Sequence, residues 1–119
     1  MSEQKILYVE DNEDNVYMLK RRLERKGYQL HIAYTGEEGV LLANSIRPDL
    51  ILMDLSLPGI SGFDAIEQIR QTQKKVPIIV LSAHAMESYM KEAVAIGAND
   101  FDTKPVDLKR LIHKIESLI

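Results

Sequence analysis

The chain has 119 residues, a formal net charge of -3, 45% apolar residues and no cysteine. That length suits one domain around one hydrophobic core. Disulfide, thiolate and zinc-thiolate chemistry are excluded, and the absence of a basic block argues against nucleic-acid binding. The amino terminus, Met1 to Lys5, carries no secretory pattern, and no apolar run is long enough to span a membrane. A cytoplasmic protein without membrane insertion is therefore expected.

Lys5-Ile6-Leu7-Tyr8-Val9 reads as a strand that stops at Glu10-Asp11-Asn12. From Asn15 to Lys26 apolar Val16, Leu19 and Leu23 recur at helical spacing beside Met18, and Gly27 ends the helix. Gln29 to Ala33 is a second strand whose partial alternation suits a sheet edge. Thr35 and Glu38 form a capping-box pattern, opening a helix that runs to about Ile46 and stops before Pro48.

Pro48 to Asp54 is a short apolar run that ends on a carboxylate. Such a run reads as a strand covered on both faces. After a loop with Pro58, Gly59 and Gly62, the stripe Phe63, Ile66 and Ile69 predicts a helix to about Thr72. Pro77 to Leu81 is another buried strand, and Ser82 ends it. A helix over about Met86 to Ile96 is expected, with Met90, Ala93 and Val94 on one side and Gly97 closing it. Asn99 to Thr103 is a weaker strand that stops at Lys104-Pro105. Asp107 caps a last helix carrying Leu108, Leu111, Ile112 and Ile115.

Strand and helix thus alternate five times. The expected fold class is α/β: a doubly wound five-stranded parallel sheet in the flavodoxin-like order 2-1-3-4-5, with helices on both faces. The strands end on Glu10 and Asp11, Asp54, Ser82 and Lys104. In that order strands one and three are neighbours, so three acids meet at the switch point and Ser82 and Lys104 border the same crevice. Close carboxylates repel and call for protons or a hard cation, and Mg2+ with its oxygen ligands suits them. A carboxylate can be the nucleophile of phosphoryl transfer. A lysine can neutralise a phosphoryl group, and a serine can donate a hydrogen bond to it. Each residue also has a plain reading: Asp54 as a turn former, Glu10 and Asp11 as acids at a helix entry, Ser82 as a cap, Lys104 as a surface lysine. Those readings do not explain why all five gather at one sheet end.

Over essentially its whole length the chain resembles the response-regulator receiver domains of two-component and phosphorelay systems. The resemblance lies in Glu10-Asp11, Asp54 followed by Leu57-Pro58-Gly59 and Gly62, Ser82-Ala83, Gly97-Ala98 and Lys104-Pro105. It implies that Asp54 is the phosphoacceptor, that Asp11 binds Mg2+ directly, and that Glu10 binds it through water or supports the site. It further implies that the Ser56 carbonyl completes the protein's share of the metal shell. Ser82 would contact the phosphoryl group and Lys104 would pair with it, with a cis Lys104–Pro105 bond accessible. Ser82 and Phe101 would carry the conformational switch; Phe101 stands where the family often has tyrosine, so no ring hydroxyl is available. Ser56 and His84, each two residues past a site residue, would flank an attacking water and tune phosphoryl lifetime. Val106 stands where the family commonly has phenylalanine.

The resemblance implies as partners a histidine kinase or histidine-phosphotransfer protein, and a downstream protein met through residues 85–119, with Met86, Tyr89 and Lys91 on the outer surface. A single receiver domain over 1–119 without a separate output domain is expected, either standing alone or cut from a longer protein. Two other classes compete: an interaction module on the same fold that needs no phosphorylation, and a small metal-dependent phosphatase. The phosphatase reading lacks a substrate pocket and a second acid two residues after Asp54. A flavodoxin-like cofactor binder fits the fold, but no hydroxyl-rich phosphate loop follows the first strand.

Overall fold

The computed structural model describes residues 3–84 and 86–119. Met1, Ser2 and Ala85, the last of which begins the expected partner surface, lie outside the described residues. The elements are β1 (Lys5–Val9), α1 (Glu13–Arg25), β2 (Gln29–Ala33), α2 (Gly36–Ile46), β3 (Leu50–Asp54), α3 (Gly62–Thr72), β4 (Ile78–Ser82), α4 (Glu87–Ala95), β5 (Asp100–Thr103) and α5 (Leu108–Leu118). All strand pairs are parallel, in the order β2-β1-β3-β4-β5.

Two apolar layers cover the sheet because successive strand residues point to opposite faces. Leu7, Val9, Ile51, Met53, Ile78, Val80 and Phe101 pack with Ala43, Ala65, Ile66, Ile69 and Ala93 of α2, α3 and α4. Ile6, Tyr8, Leu50, Leu52, Ile79 and Leu81 pack with Val16, Leu19 and Leu23 of α1 and Leu111 and Ile115 of α5. β3 and β4 are buried throughout, as central strands with helices on both sides must be.

Local chemistry sets the helix ends. The Thr35 hydroxyl accepts from the Glu38 N–H at 3.1 Å, and the Glu38 carboxylate reaches back to the Tyr34 N–H at 2.8 Å. Arg47 takes a left-handed φ of 50° before Pro48 stops α2. Asp107 caps α5 through the Arg110 N–H. Helix α1 begins earlier than its apolar periodicity indicates, because the Asn12 side chain accepts from the Asn15 N–H at 2.9 Å and admits the acidic first turn, Glu13 and Asp14.

Helix α4 corrects the sequence reading. Ala93 faces the sheet, but Met90 and Val94 point outward, with Val94 61% exposed. The small Ala93 is the buried residue of α4, and the larger apolar residues Met90 and Val94 are left exposed. Tyr89 also departs from a purely outer placement: it is half-buried and packs against the core.

Candidate functional site

The register delivers the acids to one edge. Val9 pairs with Met53, so Glu10 follows β1 where Asp54 ends β3. Asp54 pairs with Leu81, and Ser82 pairs with Thr103, the residue before Lys104. Carboxylate oxygens of Glu10, Asp11 and Asp54 lie within 4.8 Å of one another. Glu10 and Asp54 are buried, whereas Asp11 is exposed. Lys104 Nζ lies 2.6 Å from Glu10 Oε1 and 3.3 Å from Asp54 Oδ2, bridging the two buried acids. The Lys104–Pro105 peptide is cis.

The loop after β3 folds tightly over Asp54. The Ser56 N–H donates to Asp54 Oδ1 at 3.3 Å. At Gly62 a Cβ would collide with the Asp54 carbonyl oxygen, so the start of α3 can pass this close only as glycine. From α2, Glu37 accepts from the Ile60 N–H at 3.4 Å and braces the same loop.

Ser82 is buried, and its hydroxyl accepts from the His84 N–H at 3.0 Å rather than capping α4, whose first turn has no side-chain cap. The Lys104 N–H donates to the Ser82 carbonyl at 2.8 Å, tying the ends of β4 and β5 together. His84 is exposed, and its ring meets Tyr89 edge-on at 6.1 Å; Tyr89 meets Phe63 in the same manner at 6.1 Å. Phe101, expected to carry a switch, is buried in the layer formed with α2, α3 and α4.

The site contains one group that sequence reasoning passed over. The Tyr8 hydroxyl donates to Glu10 Oε1 at 3.1 Å in the buried interior. Tyr8 reads as one more apolar strand residue; the available signal is its place two residues before an acid. Beside it a cleft of about 330 Å³ is lined by Tyr8, Met18, Lys104, Pro105 and Val106.

The electrostatics split the two buried acids. Burial first, then the charge of Glu10, pushes the Asp54 carboxyl up from 3.8 to about 6, against the pull of Lys104 and the Ser56 N–H. Burial also acts against ionised Glu10, but the Lys104 hydrogen bond and charge outweigh it and hold Glu10 below its usual range. Burial pulls the Lys104 ammonium down, and the hydrogen bond to Glu10 with the charges of both acids more than restores it, leaving it above its usual range. The Tyr8 hydroxyl is raised by burial first and by Glu10 next, so it remains a donor. Three formal negative charges face one positive charge, on oxygen donors of the kind Mg2+ prefers. The residues present therefore fit that ion.

Fold and crevice together define an α/β protein with an acidic, oxygen-rich site at its topological switch point, suited to a hard cation and a phosphoryl group. Comparison with known proteins makes the assignment specific. Residues 6–116 match the response regulator receiver domain model, and the chain belongs to that family. It is 34% identical over 117 residues to Protein PilH of Pseudomonas aeruginosa, covering 97% of each chain. It is 41% identical over 118 residues to hybrid signal transduction histidine kinase G of Dictyostelium discoideum, covering 95% of this chain and 3% of that protein. The chain spans about half the length of other curated relatives it matches. Among solved structures, chemotaxis protein CheY4 of Vibrio cholerae superposes with a TM-score of 0.94 at 26% identity, covering 99% of this chain and 100% of that one. Membership places the chain in response-regulator signal transduction.

Proposed function

We propose that the protein takes a phosphoryl group onto Asp54 from the phosphohistidine of a histidine kinase or histidine-phosphotransfer protein, and passes the signal on through protein contacts. The observation that carries this reading is the Asp54 carboxylate at the end of β3, set between the Glu10–Asp11 acids and the Lys104 ammonium. In the transfer, an Asp54 carboxylate oxygen attacks phosphorus as the bond to the partner's imidazole nitrogen breaks. The electron pair stays on that nitrogen, and an aspartyl phosphate forms.

Glu10, Asp11 and Asp54, with the Ser56 carbonyl, would hold Mg2+. Bound there, the ion supplies neutralisation of phosphoryl oxygen charge. Lys104 is the protein's own positive charge for the same purpose. Ser82 is the hydroxyl that would turn from the His84 N–H toward the phosphoryl group, with Phe101 following as the packed aromatic of the switch. Ser56 and His84 flank the path of a hydrolytic water. The outward apolar residues Met86, Met90 and Val94 support a downstream protein contact on the 85–119 region. A cytoplasmic site of action belongs to the same reading; among the described residues no helix is long and apolar enough to cross a membrane.

The test is intact-mass measurement after incubation with Mg2+ and a small acyl phosphate or a charged histidine protein. Wild type is expected to gain one phosphate, and Asp54→Asn none. An equal gain in both would overturn the assignment of Asp54. Loading with no change in any binding partner would favour a module that does not depend on phosphate. Multiple turnover of a phosphorylated metabolite would favour a phosphatase.

A further inference from the structure

We propose that Tyr8 is a positioning residue for this site: its hydroxyl holds Glu10 in place when Lys104 moves from Glu10 toward a phosphoryl group on Asp54. The inference rests on the magnesium and phosphoryl chemistry proposed above and deepens it. Its starting point is a conflict in the geometry. Lys104 Nζ is closer to Glu10 Oε1, at 2.6 Å, than to Asp54 Oδ2, at 3.3 Å. Lys104 bridges both acids, and a phosphoryl group on Asp54 would draw the ammonium toward itself and lengthen its contact with Glu10. Glu10 is only 1% exposed, so water cannot readily replace that donor. A buried carboxylate that loses its partner is strongly disfavoured.

Tyr8 resolves the conflict. Tyr8 lies in β1 and Glu10 directly follows the strand, two residues on, where their side chains meet. The Tyr8 ring is fixed in the α1–α5 layer at 1% exposure, and its hydroxyl already donates to the same oxygen, Glu10 Oε1, at 3.1 Å. The donor is neutral, so it adds no charge that would repel a cation. Glu10 Oε2 accepts a long contact from the Asn12 N–H at 3.4 Å, and Glu10 offers an oxygen to the acidic cluster. Lys104 already reaches toward Asp54 Oδ2 at 3.3 Å, so the shift it needs is short. Partners that orient ligating carboxylates tune metal affinity in this way.

The experiment is Mg2+ titration of the full chain by calorimetry in four proteins: wild type, Tyr8→Phe, Lys104→Ala and the double variant. Tyr8→Phe removes one oxygen and keeps the ring. Its Mg2+ affinity is expected to fall by about tenfold. In the Lys104→Ala background, where Tyr8 is the remaining side-chain donor to Glu10 Oε1, the same substitution is expected to cost more. A ring that serves only packing would give no loss, or the same loss in both backgrounds, and either result overturns the inference. Failure of wild type to bind Mg2+ would instead overturn the reading beneath it, and this inference with it. Should Tyr8→Phe lose its cooperative melt, Tyr8→Leu is the second hydroxyl-free variant, read by the same two comparisons.

Discussion

Asp54 lies between opposing fields, and burial with the Glu10 charge prevails over Lys104, raising its carboxyl from 3.8 to about 6. The folded chain therefore holds this proton more tightly than the unfolded chain does. Stability from this group is fully present below the unfolded value and is lost as pH rises through about 6. Ionised Asp54 consequently weakens the metal-free protein at neutral pH, and Asp54→Asn is expected to stabilise it by about 1–3 kcal/mol. Glu10 shifts the other way and interacts directly with Asp54, so the difference between wild type and Asp54→Asn reports the titration of the pair with the Asp54 proton removed from it. Thermal melts across pH should show that difference opening as pH rises through about 6, and a constant difference would contradict the assignment. The same carboxyl couples metal to protons. Mg2+ affinity should fall as pH drops below about 6, with proton uptake and release visible as a buffer dependence of the calorimetric heat.

At the scale of elements, two turns near the sheet edge are tied down by specific contacts. Arg70 on α3 donates from Nε and Nη2 to the Gly97 carbonyl at 3.0 and 2.8 Å, and from Nη2 to Asn99 Oδ1 at 3.0 Å. This clamps the turn from α4 into β5, where Gly97 takes a φ of +114°. Arg70→Met keeps the apolar stem and removes the donors, and is expected to cost about 1.5–3 kcal/mol in denaturant unfolding. A loss inside the error of the measurement would make the clamp a surface ornament. Gly62→Ala tests the other turn: the collision with the Asp54 carbonyl should destabilise the fold by about 1–3 kcal/mol and slow loading of Asp54. Much of this level is legible in the sequence where the signal is local. Thr35 with Glu38 and Asp107 with the stripe behind it specify helix starts within four residues. The gathering of Glu10, Asp11, Asp54 and Lys104 is legible for another reason, since parallel strands all end at one edge. The Tyr8–Glu10–Lys104 hydrogen bonds and the Arg70 clamp are not, because they join positions up to 94 residues apart through rotamers that only packing sets.

The whole molecule is two apolar layers on one sheet, and it assigns different work to residues that look alike in sequence. Leu52 and Val94 are both aliphatic, yet Leu52 is fully buried at the centre of β3 and Val94 is 61% exposed on α4. Periodicity could not tell which stripe of α4 meets the sheet, because Met90, Ala93 and Val94 lie close together around the helix and only Ala93 is buried. Met86, Met90 and Val94 thus form an apolar strip on the outside, flanked by the exposed Glu87–Lys91 pair. An exposed pair of that kind contributes little to stability, and an apolar strip facing water contributes less than the same residues would inside the core. Leu52→Ala is therefore expected to cost about 2–5 kcal/mol, whereas Met90→Lys with Val94→Lys should stay within about 0.5 kcal/mol of wild type. Loading of Asp54 by a small phosphodonor should survive the α4 pair, because neither residue touches the acidic crevice. Parallel denaturant melts and mass measurements on these variants check the separation. If the α4 pair proved as costly as Leu52→Ala, the strip would belong to the core rather than to the exposed surface.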